Sequence, residues 1–187
     1  MDEAERFARI VSLACHDLRT PLATVYGFAR TLTRAEGYDE RTARFLGMIE
    51  AGSEQMTELL DELGVAARIV GGRFEPVLRE VDTLELVPSD DPRIGAGGTG
   101  ATVETDPDAA GKALRSLAVA ALRHGPVEEV RYTVDGRVLE LGPVTTAAAP
   151  VVTGAELRDL GALVARLVLE ALGASLALDG ETISVSF

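Results

Sequence analysis

Two long amphipathic stretches separated by a short break constrain this chain more than any other feature. Apolar residues recur at Phe7, Val11, Ala14, Leu18, Leu22, Val25, Ala29 and Leu32. These steps of three and four draw one stripe along a helix and approach a heptad seam. The pattern predicts a helix from about Asp2 to about Arg34. Ala35-Glu36-Gly37-Tyr38-Asp39 interrupts it, with Gly37 suited to end one helix and Asp39 to cap the next. The second helix, from about Glu40 to about Val70, carries Leu46, Ile49, Ser53, Met56, Leu60, Leu63, Ala67 and Val70, with Ser53 its one polar interruption. Two helices joined by a short turn pack antiparallel, and a lone pair leaves apolar surface bare. Either a second copy covers it, giving a four-helix bundle, or the C-terminal half of the chain does.

Inside the first stretch lies His16-Asp17-Leu18-Arg19-Thr20-Pro21-Leu22. His16 falls off the apolar stripe, so its imidazole is expected to face solvent. Thr20 follows one helical turn along the same face. Pro21 removes a backbone donor and leaves the Asp17 carbonyl without its usual helical partner. This heptapeptide resembles the H-box of the dimerisation and phosphotransfer domain of two-component histidine kinases. By position, the resemblance makes His16 the phosphoacceptor, Asp17 the acid/base and Thr20 the hydroxyl that orients a dephosphorylating water. Arg19, Ala23, Thr24 and Gly27 then line the face a partner would meet, the last three being small enough to let a partner helix come close. Cys15, beside His16, reads as a small packing residue rather than a nucleophile.

The chain has 187 residues and a formal charge of −12, with 47% hydrophobic and 4% aromatic residues. That is enough to bury a core built mainly from Leu, Val and Ala. The charge argues against nucleic acid and anionic membrane surfaces as partners. No apolar run is long enough to span a bilayer, and no secretory leader is legible. One cysteine and no span suggest a cytoplasmic protein. No cluster of Cys and His offers a metal site, and His124, at a helix C-terminus, needs only a structural role.

Gly71-Gly72 marks the expected boundary between an N-terminal domain, 1–71, and a mixed domain, 72–187. Beyond it, Arg73 to Val81 reads as a strand, Thr83 to Val87 as a short helix, and Pro88 to Gly100 as a flexible, Gly-rich loop. Within that loop, Gly95-Ala96-Gly97-Gly98-Thr99-Gly100 has the spacing of a dinucleotide fingerprint but opens no helix. Thr102 to Thr105 reads as a strand, and Asp106-Pro107 opens a helix that runs to His124. Asp135-Gly136 and Asp179-Gly180 each centre a hairpin, on either side of a helix from about Gly154 to Leu172. The fold class expected is α+β: a helical hairpin followed by a two-layer α/β sandwich.

The order of elements after Gly72 resembles the ATP-binding domain of histidine kinases, the GHKL fold. So does Asp106-Pro107-Asp108 with the helix that follows it. The residues that the resemblance assigns to nucleotide have changed. The Mg²⁺-carrying Asn falls on Ala120 and its companion on Ser116. The adenine-reading motif becomes Glu140-Leu141-Gly142-Pro143-Val144, and Asp159 replaces one Gly of the next box, leaving Gly161. Three or four lost charge-assisted contacts, at roughly 1.5–3 kcal/mol each, weaken binding by roughly 10⁴- to 10⁷-fold. The expectation is therefore a homodimeric phosphotransfer protein without a cofactor, exchanging phosphoryl groups between His16 and the receiver domain of a response regulator. An autophosphorylating kinase core using ATP and Mg²⁺, and a phosphatase or scaffold acting through Thr20, remain open alternatives.

Overall fold

The computed structural model describes residues 3–35, 37–87 and 90–187. Asp2, Glu36 and the Pro88-Ser89 start of the expected loop lie outside them. The chain divides into two compact units, one ending at Arg73 and one running from Phe74 to Phe187.

The first unit is a pair of helices, α1 (Glu3–Thr33) and α2 (Glu40–Val70). Asp39 caps α2 as expected, its carboxylate accepting from the Thr42 amide at 2.7 Å. α1 continues unbroken through Pro21. The predicted stripe divides into two seams. Ala8, Cys15, Leu22 and Ala29, spaced by seven, are the buried residues of α1. Leu18, Val25 and Leu32 of the same predicted stripe stay exposed, as do Phe7, Ile10, Leu13 and Phe28. On α2 the buried residues are Ser53, Gly64 and Ala67, while Ile49, Met56, Leu63 and Val70 are exposed. Ser53 is no interruption of the packing: it is 1% exposed, and its hydroxyl donates to the Ile49 carbonyl at 2.7 Å. Small residues at the contact let the helix axes approach, and the larger apolar side chains are left to the outside.

The second unit has two layers. Its elements are β1 (Arg79–Asp82), a 3-10 turn (Thr83–Leu86), β2 (Ile94–Gly100), β3 (Thr102–Thr105), α3 (Pro107–His124), β4 (Val130–Gly136), β5 (Val138–Gly142), α4 (Ala149–Val152), α5 (Leu160–Ala171), β6 (Ser175–Asp179) and β7 (Thr182–Ser186). β1 and β3 form an antiparallel pair, and the main sheet has the order β2-β4-β5-β7-β6. β2 runs parallel to β4, and the remaining pairs are antiparallel. Val130, Tyr132, Val134, Leu139, Leu141, Ile183 and Val185 alternate into the core with Leu114 and Leu117 of α3 and Leu169 of α5. Arg131, Thr133, Asp135 and Glu140 occupy the other, exposed face of the sheet. Tyr132 is fully buried, which pushes its phenol pKa up, and its hydroxyl donates to the Leu114 carbonyl at 2.7 Å.

Three expectations change here. The strand from Arg73 shortens to Arg79–Asp82. The Gly-rich stretch is not a loop: Ile94–Gly100 is an ordered edge strand. Its glycines answer to close packing, since a Cβ on Gly98 (φ +124°) would collide with the Val134 carbonyl. The third long helix begins at Leu160 rather than Gly154. Gly154 (φ +75°) follows the single turn α4, whose Val151 and Val152 are buried. Val144, Ala148, Val151 and Val152 thus anchor the segment between β5 and α5 to the core, while Ala155 to Arg158 stay exposed.

Candidate phosphoacceptor site

His16 stands in the middle of α1, one position past buried Cys15, so the ring projects away from α2. The His16 side chain is 77% exposed and that of Asp17 66%. His16 Nδ1 lies 3.1 Å from Asp17 Oδ1. With Nδ1 protonated, that contact fixes the tautomer and leaves Nε2 as the ring's lone pair. Thr20, Ala23, Thr24 and Gly27 are all exposed. A Cβ on Gly27 would meet nothing within 4 Å, so this stretch of helix is bare. The Thr24 hydroxyl donates to the Thr20 carbonyl at 3.2 Å.

Arg19 is not free on this face. Its guanidinium crosses to Asp61 of α2 at 2.7 Å, both side chains being about half exposed. Nothing local signals this partner, 42 positions away. Two more polar contacts bracket it: the Tyr26 hydroxyl donates to Glu54 at 2.9 Å, and Arg73 donates to the Ser12 hydroxyl at 3.1 Å. Ser12, Arg19 and Tyr26 are spaced by seven, and their partners run the opposite way. These pairs fix the antiparallel alignment that carries the imidazole. Glu54 raises the Tyr26 hydroxyl pKa, its hydrogen bond being the main cause.

In the second unit, Ala120, Ser116, Glu140 and Asp159 stand where the resemblance expected nucleotide contacts. Ala120 is 2% exposed on the core face of α3 and offers only a methyl group, and Ser116 is half-buried. Glu140 faces solvent from the open side of the sheet, opposite Thr133 and Ser184 in register. Asp159 caps α5: Oδ1 accepts from the Ala162 amide at 3.0 Å. Its other oxygen meets Arg123 at 2.8 Å and His124 Nε2 at 2.9 Å. Burial alone would raise the Asp159 pKa. The Ala162 amide, His124 and Arg123 outweigh it and hold the carboxyl below its usual range. His124 therefore has a carboxylate partner that its place at a helix end did not disclose. Among the described residues, no group of three or more His, Cys, Asp or Glu could hold a metal ion, and no helix is long and apolar enough to cross a membrane.

Residues 8–72 match the family model of the His Kinase A (phospho-acceptor) domain. Sensor protein DivL of Caulobacter vibrioides is 30% identical over 86 residues, which cover 46% of this chain and 11% of that protein. Sensor histidine kinase TrcS of Mycobacterium tuberculosis is 35% identical over 89 residues, covering 46% and 17%. Sensor protein KdpD of the same species is 32% identical over 163 residues, covering 74% and 19%. The chain thus spans 11–19% of the length of these relatives. Among solved structures, full-length ShkA in complex with AMPPNP superposes with a TM-score of 0.69 at 20% identity, over 95% of this chain and 44% of that one. Acinetobacter baumannii histidine kinase AdeS superposes with a TM-score of 0.57 at 16% identity, over 92% and 96%. The helical hairpin followed by an α/β sheet unit is the arrangement of these kinase structures.

Proposed function

We propose, from the match of residues 8–72 to the His Kinase A (phospho-acceptor) domain, that this chain carries a phosphoryl group on His16 and exchanges it with an aspartate of a response-regulator receiver domain. The observation that carries the proposal is the exposed His16 ring with Nδ1 engaged by Asp17 at 3.1 Å. The Nε2 lone pair attacks the phosphorus of the receiver's aspartyl phosphate. The N–P bond forms as the P–O bond to the aspartate breaks, and the carboxylate leaves; the reverse step returns the group. Asp17 stabilises the positive charge that develops on the ring. Most of the rate comes from alignment and from charge stabilisation at the transferring phosphoryl, much of it supplied by the receiver's own acidic site and Mg²⁺. Arg19, anchored by Asp61, sits three residues along from the phosphoacceptor and adds a fixed cation to this docking face. Thr20, one turn from His16, orients a water when the phosphoryl group is lost to hydrolysis.

The chain works as a homodimer in this reading. Leu18, Val25 and Leu32 form an exposed apolar seam that a second hairpin would cover. ATP is not its phosphoryl source. Buried Ala120 gives Mg²⁺ no oxygen, Glu140 points to the open face of the sheet, and Asp159 sets a carboxylate at the start of α5. The fold likeness to ShkA, solved with AMPPNP, favours a second reading as an ATP-dependent kinase core. Two assays separate them. Incubation with a phosphorylated receiver labels the parent and not His16→Ala, whereas labelled ATP with Mg²⁺ leaves the parent unlabelled. Label on His16→Ala would overturn the site, and label from ATP would favour the kinase.

A further inference from the structure

Arg19 is the one Lys or Arg within four positions of His16. Residues three apart are neighbours on a helix surface, and helical side chains lean toward the N-terminus. The Arg19 side chain therefore arises beside the turn that carries the imidazole. Its guanidinium is nevertheless turned to α2, where Nη2 meets Asp61 at 2.7 Å. The two side chains are 44% and 46% exposed, so water screens the pair and it is held weakly. The His16 side chain is 77% exposed, which leaves room for a phosphoryl group on the ring. Such a group brings nearly two negative charges and three acceptor oxygens. A guanidinium fork matches phosphoryl oxygens in a contact that outweighs a screened carboxylate.

We propose that Arg19 is a two-position clamp, held by Asp61 while His16 is bare and turned onto the phosphoryl oxygens once His16 is loaded. This rests on the phosphoacceptor reading of His16 and adds a regulation to it. Asp61 and the phosphoryl group compete for one cation, so Asp61 lowers the affinity of the site for the group it carries. By linkage, loading His16 loosens Arg19 from Asp61 by the same factor. The contacts of Tyr26 with Glu54 and of Arg73 with Ser12 take no part in the exchange, so the two helices keep their alignment. The loaded and bare hairpins then differ in charge pattern: Asp61 is neutralised in one and a free carboxylate in the other.

The ionisation of the phosphoryl group tests this. Phosphoramidate loads the full chain: its P–N bond breaks, ammonia leaves, and the bond from Nε2 to phosphorus forms. Phosphate on His16 is counted against His16→Ala. Phosphorus NMR follows the second ionisation of the bound group, since a guanidinium on the oxygens favours the dianion and lowers the pKa. Arg19→Ala is expected to raise that pKa by about 0.3 unit or more, a twofold change in the ionisation constant. Asp61→Asn is expected to lower it, because the clamp is no longer contested. Added to Arg19→Ala, the same change should shift it much less. A pKa indifferent to Arg19 would overturn the clamp and leave His16 as the phosphoacceptor. So would an Asp61→Asn effect of equal size with and without Arg19, which marks Asp61 as a plain repelling charge. A chain that takes no more phosphate than His16→Ala would overturn the phosphoacceptor reading, and the clamp with it.

Discussion

Replacing Leu18 by Ala tests the dimer through the physics of the exposed seam. Removing three carbons from a fully buried Leu forfeits roughly 0.8 kcal/mol per carbon, or about 2.4 kcal/mol. Leu18 is 55% exposed in the single chain, so a little over half of that transfer is still to be gained when a second copy covers it. The change therefore costs about 1.3 kcal/mol per protomer at the interface. A two-fold axis presents it twice, and about 2.6 kcal/mol raises the dissociation constant roughly 80-fold. Sedimentation equilibrium over a concentration series measures this directly. The parent should be dimeric at micromolar concentration, and Leu18→Ala should dissociate across the range. Helical content of the variant should change little, because the hairpin's own contact runs through Ala8, Cys15, Leu22 and Ala29. A parent that is monomeric throughout, or a variant with an unchanged dissociation constant, would refute the assignment of this seam to a second copy.

Gly98→Ala should destabilise the second unit by several kcal/mol, because Gly98 sits at φ +124° with the Val134 carbonyl in the way of any Cβ; urea unfolding measures it, and a loss below about 0.5 kcal/mol would contradict the close approach of β2 and β4. Asp91, Asp106 and Asp159 all have lowered pKa values, that of Asp91 to about 2 through Arg93. At Asp106 burial opposes the shift, and the Ala109 and Val77 amides prevail. Since the unfolded chain binds protons more readily at these groups, their contribution is complete above pH of about 4 and is lost as pH falls through the folded values. Midpoints recorded from pH 6 to 2 should be flat at first and then fall, and Asp159→Asn should fall less steeply; a flat profile down to pH 2 would reject the argument.

Local chemistry made much of this fold readable from the residues alone. Asp39, Asp106-Pro107 and the turns at Asp135-Gly136 and Asp179-Gly180 mark their elements because caps and tight turns are decided within a few residues. The prominence of His16 was readable for the same reason, a polar residue off an apolar stripe. What was not readable depends on distance along the chain. Steps of three and four do not tell the seam of Leu22 and Ala29 from that of Leu18 and Val25, since both are apolar and only the partner helix chooses. The glycines of β2 look like a loop until β4 lies against them. Arg19 with Asp61, and Asp159 with His124, join residues whose partners lie 42 and 35 positions away. For Asp159 a local signal did exist, an acid just ahead of an apolar helical run, hidden by starting that helix at Gly154.

The seven-residue ladder of Ser12, Arg19 and Tyr26 has an effect out of proportion to its strength. Each rung is a solvent-touched contact worth at most about 1 kcal/mol. Alanine-rich surfaces such as those of Ala8, Ala29 and Ala67 are nearly featureless, and would slide past one another by a turn at little cost. A slip would separate the three rungs together. They act as the teeth of a key rather than as glue, holding His16 at one height on its stalk.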